Sequence, residues 1–157
     1  MTVSIAITGK SGSGKTTITK ALWQVIRKKH PDKTILLFDN DLTAELGHSF
    51  GKDIRQTIYG IRSGKHEYNT GIPDNMTKQE FIEWALEDIL EPLDDNTDII
   101  VSWLIGSKDC RCLITKQIND ALVKLLSRYD YVIFDCEFDI NIFKRVSRFI
   151  FYCSLIN

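Results

Sequence analysis

Little in this chain interrupts a fold. Three prolines and nine glycines in 157 residues are too few for a linker-rich or fibrous protein. Neither charge sign dominates: 20 Lys and Arg stand against 21 Asp and Glu, a formal charge of -1. That balance leaves no basic footprint for nucleic acid or for an anionic membrane surface. Long apolar runs are missing too. The longest, Ile99–Ile105 and Phe149–Ile156, fall far short of the roughly 20 residues a membrane-spanning helix needs. Met1-Thr2-Val3-Ser4 has no basic leader region, and the apolar run after it stops at Gly9. The expectation is a soluble cytoplasmic protein without a signal peptide. Four cysteines do not make a disulfide scaffold at this length. Cys136 and Cys153 lie in apolar, strand-like segments and read as small buried hydrophobes. Cys110 and Cys112 instead flank a single residue in a polar stretch.

What is present is core-forming material, 43% hydrophobic and 26% charged, enough for one domain over 1–157. Strand-like and helix-like segments alternate. Val3–Thr8 is a β-branched run ending at Gly9. Thr16–His30 has helical periodicity, with Ile18, Ala21, Leu22, Val25 and Ile26 expected on its buried face. Arg27-Lys28-Lys29-His30 and then Pro31 mark its end. Thr34–Phe38 is a second apolar run closed by Asp39-Asn40-Asp41. Residues 42–75 carry six of the glycine and proline punctuations and predict short helices and loops. Thr77 with Glu80 predicts a capping box. The helix it starts should bury Phe81, Trp84, Ala85, Ile89 and Leu90. Thr97–Ile105 is a third strand, stopped by Gly106. The next helix should bury Leu113 or Ile114, Ile118, Ala121, Leu122, Leu125 and Leu126. Tyr131–Phe134, a short helix at 140–147 and an apolar run at 149–156 complete the pattern. Near-continuous apolar strands separated by helices predict an α/β fold with a mostly parallel sheet covered on both faces. Ligands in such sheets bind at the C-terminal strand ends, where Gly9, Asp39, Gly106 and Asp135 should gather.

Gly9-Lys10-Ser11-Gly12-Ser13-Gly14-Lys15-Thr16 fits the pattern G-x-x-x-x-G-K-[ST], placed between strand and helix as the motif requires. Average composition gives a chance match of about 0.5% in a chain this long. Its glycines let backbone N–H groups turn inward around phosphate oxygens. The helix N-terminus adds partial positive charge. Lys15 should reach the β- and γ-phosphates, and the Thr16 hydroxyl should ligate Mg²⁺. These features predict a three-layer P-loop nucleoside-triphosphatase fold.

Two classes of P-loop protein fit. The Ser11–Thr16 stretch also resembles the loop of nucleoside and nucleotide kinases. Lys10, a second lysine just after the first glycine, resembles the deviant Walker A loop of MinD, ParA and nitrogenase iron-protein relatives. Ser11 stands where that loop has the first of two paired glycines. The resemblance implies that Lys10 reaches across an ATP-dependent homodimer to the partner's nucleotide. Leu36-Leu37-Phe38-Asp39-Asn40-Asp41 resembles the second strand of that class, ending in D-x-D. By that likeness Asp39 orients or activates the attacking water, and Asp41 belongs to a nucleotide-responsive switch. Tyr131-Val132-Ile133-Phe134-Asp135 resembles the Walker B strand, whose Asp135 would hold Mg²⁺ through water. The implied catalytic set is Lys10, Lys15 and Asp39. The ATP- or ADP-binding set is Gly9, Lys10, Ser11, Gly12, Ser13, Gly14, Lys15, Thr16 and Thr17, with Asp41 and Asp135.

Within that class the chain resembles the CooC ATPases, which help nickel enter carbon monoxide dehydrogenase. The likeness rests on the D-x-D, on Cys110-Arg111-Cys112 between the third strand and the next helix, on Asp135-Cys136-Glu137, and on a basic segment from Arg145 to Arg148. It departs at Phe138-Asp139, where the family has Ala-Gly close to the γ-phosphate. An added carboxylate there would repel phosphate unless it points away. The chain also reads as C-terminally short for the family, stopping before the adenine-recognition segment. Cys110 and Cys112 offer two thiolates, half of a tetrahedral site. Two chains related by a two-fold axis would supply four, suited to Zn²⁺ or Ni²⁺, with Lys108 and Arg111 placed to lower the thiol pKa. Otherwise they are unpaired thiols beside a helix N-terminus. His48 and His66 are too isolated to nominate as ligands. The expectation is an ATP-hydrolysing metallochaperone that dimerises with ATP and serves a client metalloenzyme. The alternatives are a small P-loop metabolite kinase and a nucleotide-sensing module that has lost hydrolysis.

Overall fold

The computed structural model describes residues 2–41, 43–63, 72–102, 116–136 and 150–155, with 62–63 and 150–155 described through their backbone alone. Alternation of strand and helix is as expected. β1 spans Val3–Gly9, α1 Lys15–Lys29, β2 Ile35–Asn40, α2 Glu45–Ser49, α3 Ile58–Ser63 and α4 Lys78–Asp88. β3 follows at Glu91–Asp94, β4 at Thr97–Val101, α5 at Lys116–Leu126, β5 at Tyr131–Cys136 and β6 at Ile150–Leu155. The six strands form one sheet in the order β3-β4-β2-β5-β1-β6. Every pairing is parallel except β3 with β4, which is antiparallel.

Strand side chains alternate between the two faces, and each set has its own helices. Ala6, Leu36, Phe38, Ile100, Val132 and Phe134 lie in one core with Ile82 and Leu86 of α4 and Ile118, Leu122 and Leu125 of α5. Ile7, Ile35, Leu37, Ile99 and Ile133 lie in the other with Ile26 of α1 and Leu46 of α2. Phe38 and Phe134 meet across β2 and β5 with ring centroids 5.3 Å apart. Both faces are therefore covered, which is why the strands read as unbroken apolar runs. Among the described residues no helix is long and apolar enough to cross a membrane.

The expected buried faces hold for α5 and need correction elsewhere. On α1 the residues turned inward are Lys15, Thr19 and Ile26, with Leu22 and Trp23 packed beside them. Ile18 and Val25 are 42% and 50% exposed, and Ala21 is exposed. The helix is rolled because its first residue, Lys15, is itself drawn inward. On α4 the inward set is Ile82, Ala85 and Leu86, followed by Ile89, a clean i, i+3, i+4, i+7 row. Trp84 is 40% exposed and lies beside Phe81. β3 was not expected: Pro92, read as a stop after α4, sits in this short edge strand, a position that tolerates proline. The third strand ends at Val101. The expected continuation to Ile105, residues 113–114 and the short helix at 140–147 lie outside the described residues.

The capping box forms. Thr77 Oγ1 accepts from the Glu80 N–H at 3.2 Å, and Glu80 Oε2 accepts from the Thr77 N–H at 2.8 Å. Thr77→Ala removes the cap without touching the core, so urea unfolding should show a loss of about 1 kcal/mol. A change under about 0.3 kcal/mol would mean that the cap contributes nothing to α4.

Candidate nucleotide site

The site begins where β1 runs into α1. Gly14 caps the helix in the left-handed region, at φ 86, and supplies no side-chain cap. Gly12 is also left-handed, at φ 76, so both positions need glycine for backbone reasons. A Cβ at either would meet nothing within 4 Å, so the loop is open at both positions. The first-turn N–H groups of α1 have no intrahelical acceptor. No acidic residue stands in that turn, and Arg27, Lys28 and Lys29 occupy the last. The positive end of the helix dipole is therefore uncompensated at the loop. Lys15 is almost fully buried, and its ammonium donates to the Lys10 carbonyl at 3.0 Å. Lys10 is exposed at the loop's outer edge.

Strand order brings the acids in. β5 lies between β1 and β2, with Asp135 in register with Ile7 on one side and Asp39 on the other. Asp135 is buried, and among the described residues neither carboxylate oxygen has a hydrogen-bond partner in bonding geometry. Burial pushes its carboxyl up to about 6; the Thr16 hydroxyl and then Lys15 pull it down, while Asp41 and Glu45 push it up. The Ser13 hydroxyl is likewise buried without a partner. An open glycine cradle, a buried lysine and two orphaned acceptors beside a threonine hydroxyl fit a phosphate chain with its divalent cation. Among the described residues no group of three or more His, Cys, Asp or Glu could hold a metal alone. Water and phosphate oxygens would therefore complete a cation shell at Asp135.

Asp39 is differently placed from the expectation of a water-activating base. It is fully buried, and both oxygens accept backbone donors: Oδ1 from the Asp41 N–H at 3.0 Å and Oδ2 from the Gly47 N–H at 3.2 Å. Burial pushes its carboxyl up to about 7 against those two hydrogen bonds, with Asp135 and Asp41 adding to the rise. In this conformation Asp39 shapes the loop after β2. Asp41, also buried, accepts from the Thr43 N–H at 2.8 Å and hydroxyl at 2.6 Å.

The expected residues 9–17, 39, 41 and 135 thus converge on one sheet edge. Cys110 and Cys112, with Gly106, Lys108, Arg111 and His66, lie outside the described residues. So do Glu137, Phe138, Asp139 and the Arg145–Arg148 segment, and the Cys153 side chain. Cys136 is buried, with its thiol pushed far up by that burial, in keeping with a packing role. His48 is exposed beside the Lys52 carbonyl. The sequence reading missed Gly47, where a Cβ would come 2.8 Å from Ile54 Cγ1. It also missed Ser102, whose N–H donates to the Asp39 carbonyl at 2.9 Å and whose hydroxyl lies 2.6 Å from Asn40 Oδ1. Glycine spacing after the D-x-D could have flagged the first; nothing local in sequence flags the second.

Comparison with known proteins agrees with this fold. Residues 4–150 match the profile of the CobQ/CobB/MinD/ParA nucleotide binding domain. An uncharacterised ATP-binding protein of Methanocaldococcus jannaschii is 28% identical over 135 residues, 85% of this chain and 52% of that protein. The chain thus spans about half the length of the curated relative it matches. Cobyrinic acid a,c-diamide synthase from Mycobacterium smegmatis, solved with ADP and magnesium, superposes with a TM-score of 0.63 at 19% identity, over 93% of this chain and 55% of that one. The septum site-determining protein MinD from Pyrococcus horikoshii, complexed with Mg-ADP, gives 0.57 at 23%, over 93% and 52%. At these identities the structural likenesses establish the fold.

Two raised carboxyls have a consequence for stability. In the unfolded chain both titrate near 3.8, in the folded chain near 7 and 6. Between those values the folded state holds more protons at these two groups, so their contribution to stability is fully present below about pH 4 and is lost as pH rises to about 7. The unfolding free energy from urea titrations without nucleotide should drop over that window, by more than about 1 kcal/mol in total. Asp135→Asn should flatten the fall. A stability that rises from pH 4.5 to 7 in wild type would contradict the burial of these two charges.

Proposed function

The chain belongs to the CobQ/CobB/MinD/ParA nucleotide-binding family, and from that premise we propose that residues 1–157 act as one domain that binds ATP or ADP with Mg²⁺ and hydrolyses ATP. The observation that carries this reading is the meeting of a buried lysine, an open left-handed glycine loop and an unpartnered buried Asp135 at one sheet edge. The solved relatives bound to ADP and magnesium support it.

In the proposed mechanism the N–H groups of residues 9–17 bind the phosphates. Lys15 leaves the Lys10 carbonyl and turns to the β- and γ-phosphates, exchanging one oxygen acceptor for a charged one. Thr16 and Asp135 would hold the magnesium, Asp135 through water. Held there, a magnesium ion would supply charge neutralisation for the transferred phosphoryl group. Water attacks the γ-phosphorus in line, the bond from that phosphorus to the β–γ bridging oxygen breaks, and ADP leaves with inorganic phosphate. Asp39 orients it either directly, after the 41–47 loop releases its two N–H groups, or through Asp41, which that loop carries. Lys10, exposed and free to reach out, would complete the site of a second copy in an ATP-dependent homodimer.

The finer reading is a CooC-like one. Cys110 and Cys112 from each of two copies would form a Cys₄ site for Zn²⁺ or Ni²⁺ at the dimer seam. Nucleotide state would then be coupled to nickel delivery to a client such as carbon monoxide dehydrogenase. The partner is a protein, in the cytoplasm, with no nucleic acid and no membrane involved.

Lys15→Ala should abolish ADP binding in calorimetry, while Lys10→Ala keeps it and loses ATP-dependent dimerisation in sedimentation. Asp39→Asn should bind ATP and hydrolyse it roughly 10²–10⁴-fold more slowly. Wild-type dimerisation in Lys10→Ala would remove the deviant-loop assignment and favour the kinase reading, as would turnover that requires an added phosphoryl acceptor. Nucleotide binding without turnover in any condition would favour the sensing module. For the metal, one ion per two chains is expected, lost in Cys110→Ser and Cys112→Ser but kept in Cys136→Ser and Cys153→Ser. One ion per monomer would end the shared-site model.

A further inference from the structure

Ala44 is the one non-glycine residue with positive φ among those described, at φ 51 and ψ 40. It caps α2 from a left-handed conformation that L-residues other than glycine, asparagine and aspartate rarely hold. Such strain persists only where the surroundings impose it. Here two side chains hold the backbone of the segment, Asp39 at Gly47 in the middle of α2 and Lys20 at its C-terminal end. Asp39 accepts the Asp41 and Gly47 N–H groups. At the far end the Lys20 ammonium donates to the Ser49 carbonyl at 2.9 Å and stands 4.8 Å over the Phe50 ring. Ser49 is the last residue of α2, so its carbonyl is one that the helix cannot satisfy itself. Phe50 is fixed in turn, edge-on to Trp23 at 5.1 Å. Lys20 and Trp23 both belong to α1, the helix that starts at the phosphate loop.

We propose that Lys20 is a positioning residue that latches the strained segment 43–50 to the phosphate-loop helix and so holds Asp39 and Asp41 in place. Asp39 alone leaves the segment anchored to its own strand. Lys20 adds a polar connection, beside the apolar contacts of Leu46 and Phe50, to α1, which carries Lys15 and Thr16 five and four residues earlier. Without it the C-terminal end of α2 loses its polar anchor and keeps the apolar packing of Leu46 and Phe50, so the segment opens more often. The consequence for hydrolysis rests on the function proposed above; the latch itself does not.

The test is hydrogen–deuterium exchange, followed by peptide mass spectrometry, on the full chain without nucleotide. Lys20→Met keeps most of the stem against Phe50 and removes the donors and the charge. Exchange across residues 43–50 should then quicken about 5- to 30-fold, with β2, β4 and β5 unchanged. Lys20→Arg should stay within about threefold of wild type, because it keeps a donor and a cation over the ring. Lys33→Met, which breaks an ion pair with Asp130 at the other end of the sheet, should leave 43–50 unaltered. Unchanged exchange in Lys20→Met, or faster exchange spread evenly over the sheet, would overturn the latch. In a turnover assay Lys20→Met should lower kcat with little change in KM. Failure of wild type to bind ADP would remove the nucleotide reading and leave the exchange result standing.

Discussion

The placement of β5 between β1 and β2 is the constraint on which the site depends. A parallel sheet aligns strand ends on one edge, and this register puts Asp135 one strand from the phosphate loop and directly beside Asp39. Proximity of two buried carboxyls to each other and to Lys15 follows from backbone pairing. No long-range side-chain bond is needed to assemble them. What does need side chains is the loop after β2, where Asp39 uses both oxygens to set the path of 41–47.

This arrangement holds more acid than base in a dry place. Asp39 and Asp135 are raised mainly by burial, and each is raised further by acidic neighbours. Two backbone donors offset part of the cost at Asp39, while among the described residues Thr16 and Lys15 are what offsets it at Asp135. Such an imbalance is unfavourable for an isolated fold and is relieved by a cation. The same sheet edge carries the uncompensated helix N-terminus and the glycine cradle, which favour an anion. Phosphate and divalent cation together satisfy both demands, and neither alone does.

Much of this was legible in sequence because it is local. The G-x-x-x-x-G-K-T loop, the capping box at Thr77 and the apolar periodicity of α5 each declare themselves within a dozen residues. The roll of α1 was not legible, because Ile18 and Val25 fit a helical stripe as well as Thr19 and Ile26 do. The choice was made by Lys15, whose burial at the loop turns the helix. Trp84 was expected inward on one stripe with Phe81, Ala85, Ile89 and Leu90, but the row Ile82, Ala85, Leu86, Ile89 is the one that packs inward and leaves the indole at the surface. The role of Asp39 was half legible: its place at a strand end was clear, while its bond to Gly47 depends on a turn through Ala44 that no composition rule anticipates.

The central claim is that Asp135 is the protein's counterpart to a cation held on nucleotide phosphates. It is tested most directly by calorimetric titration of ADP, with magnesium and with chelator, into wild type and Asp135→Asn. With chelator, the wild-type carboxylate repels the phosphates, so Asp135→Asn should bind ADP as well as wild type or better. Magnesium should tighten ADP binding at least about tenfold in wild type, or 1.4 kcal/mol, and by much less in the variant. An equal gain from magnesium in both proteins would contradict the account.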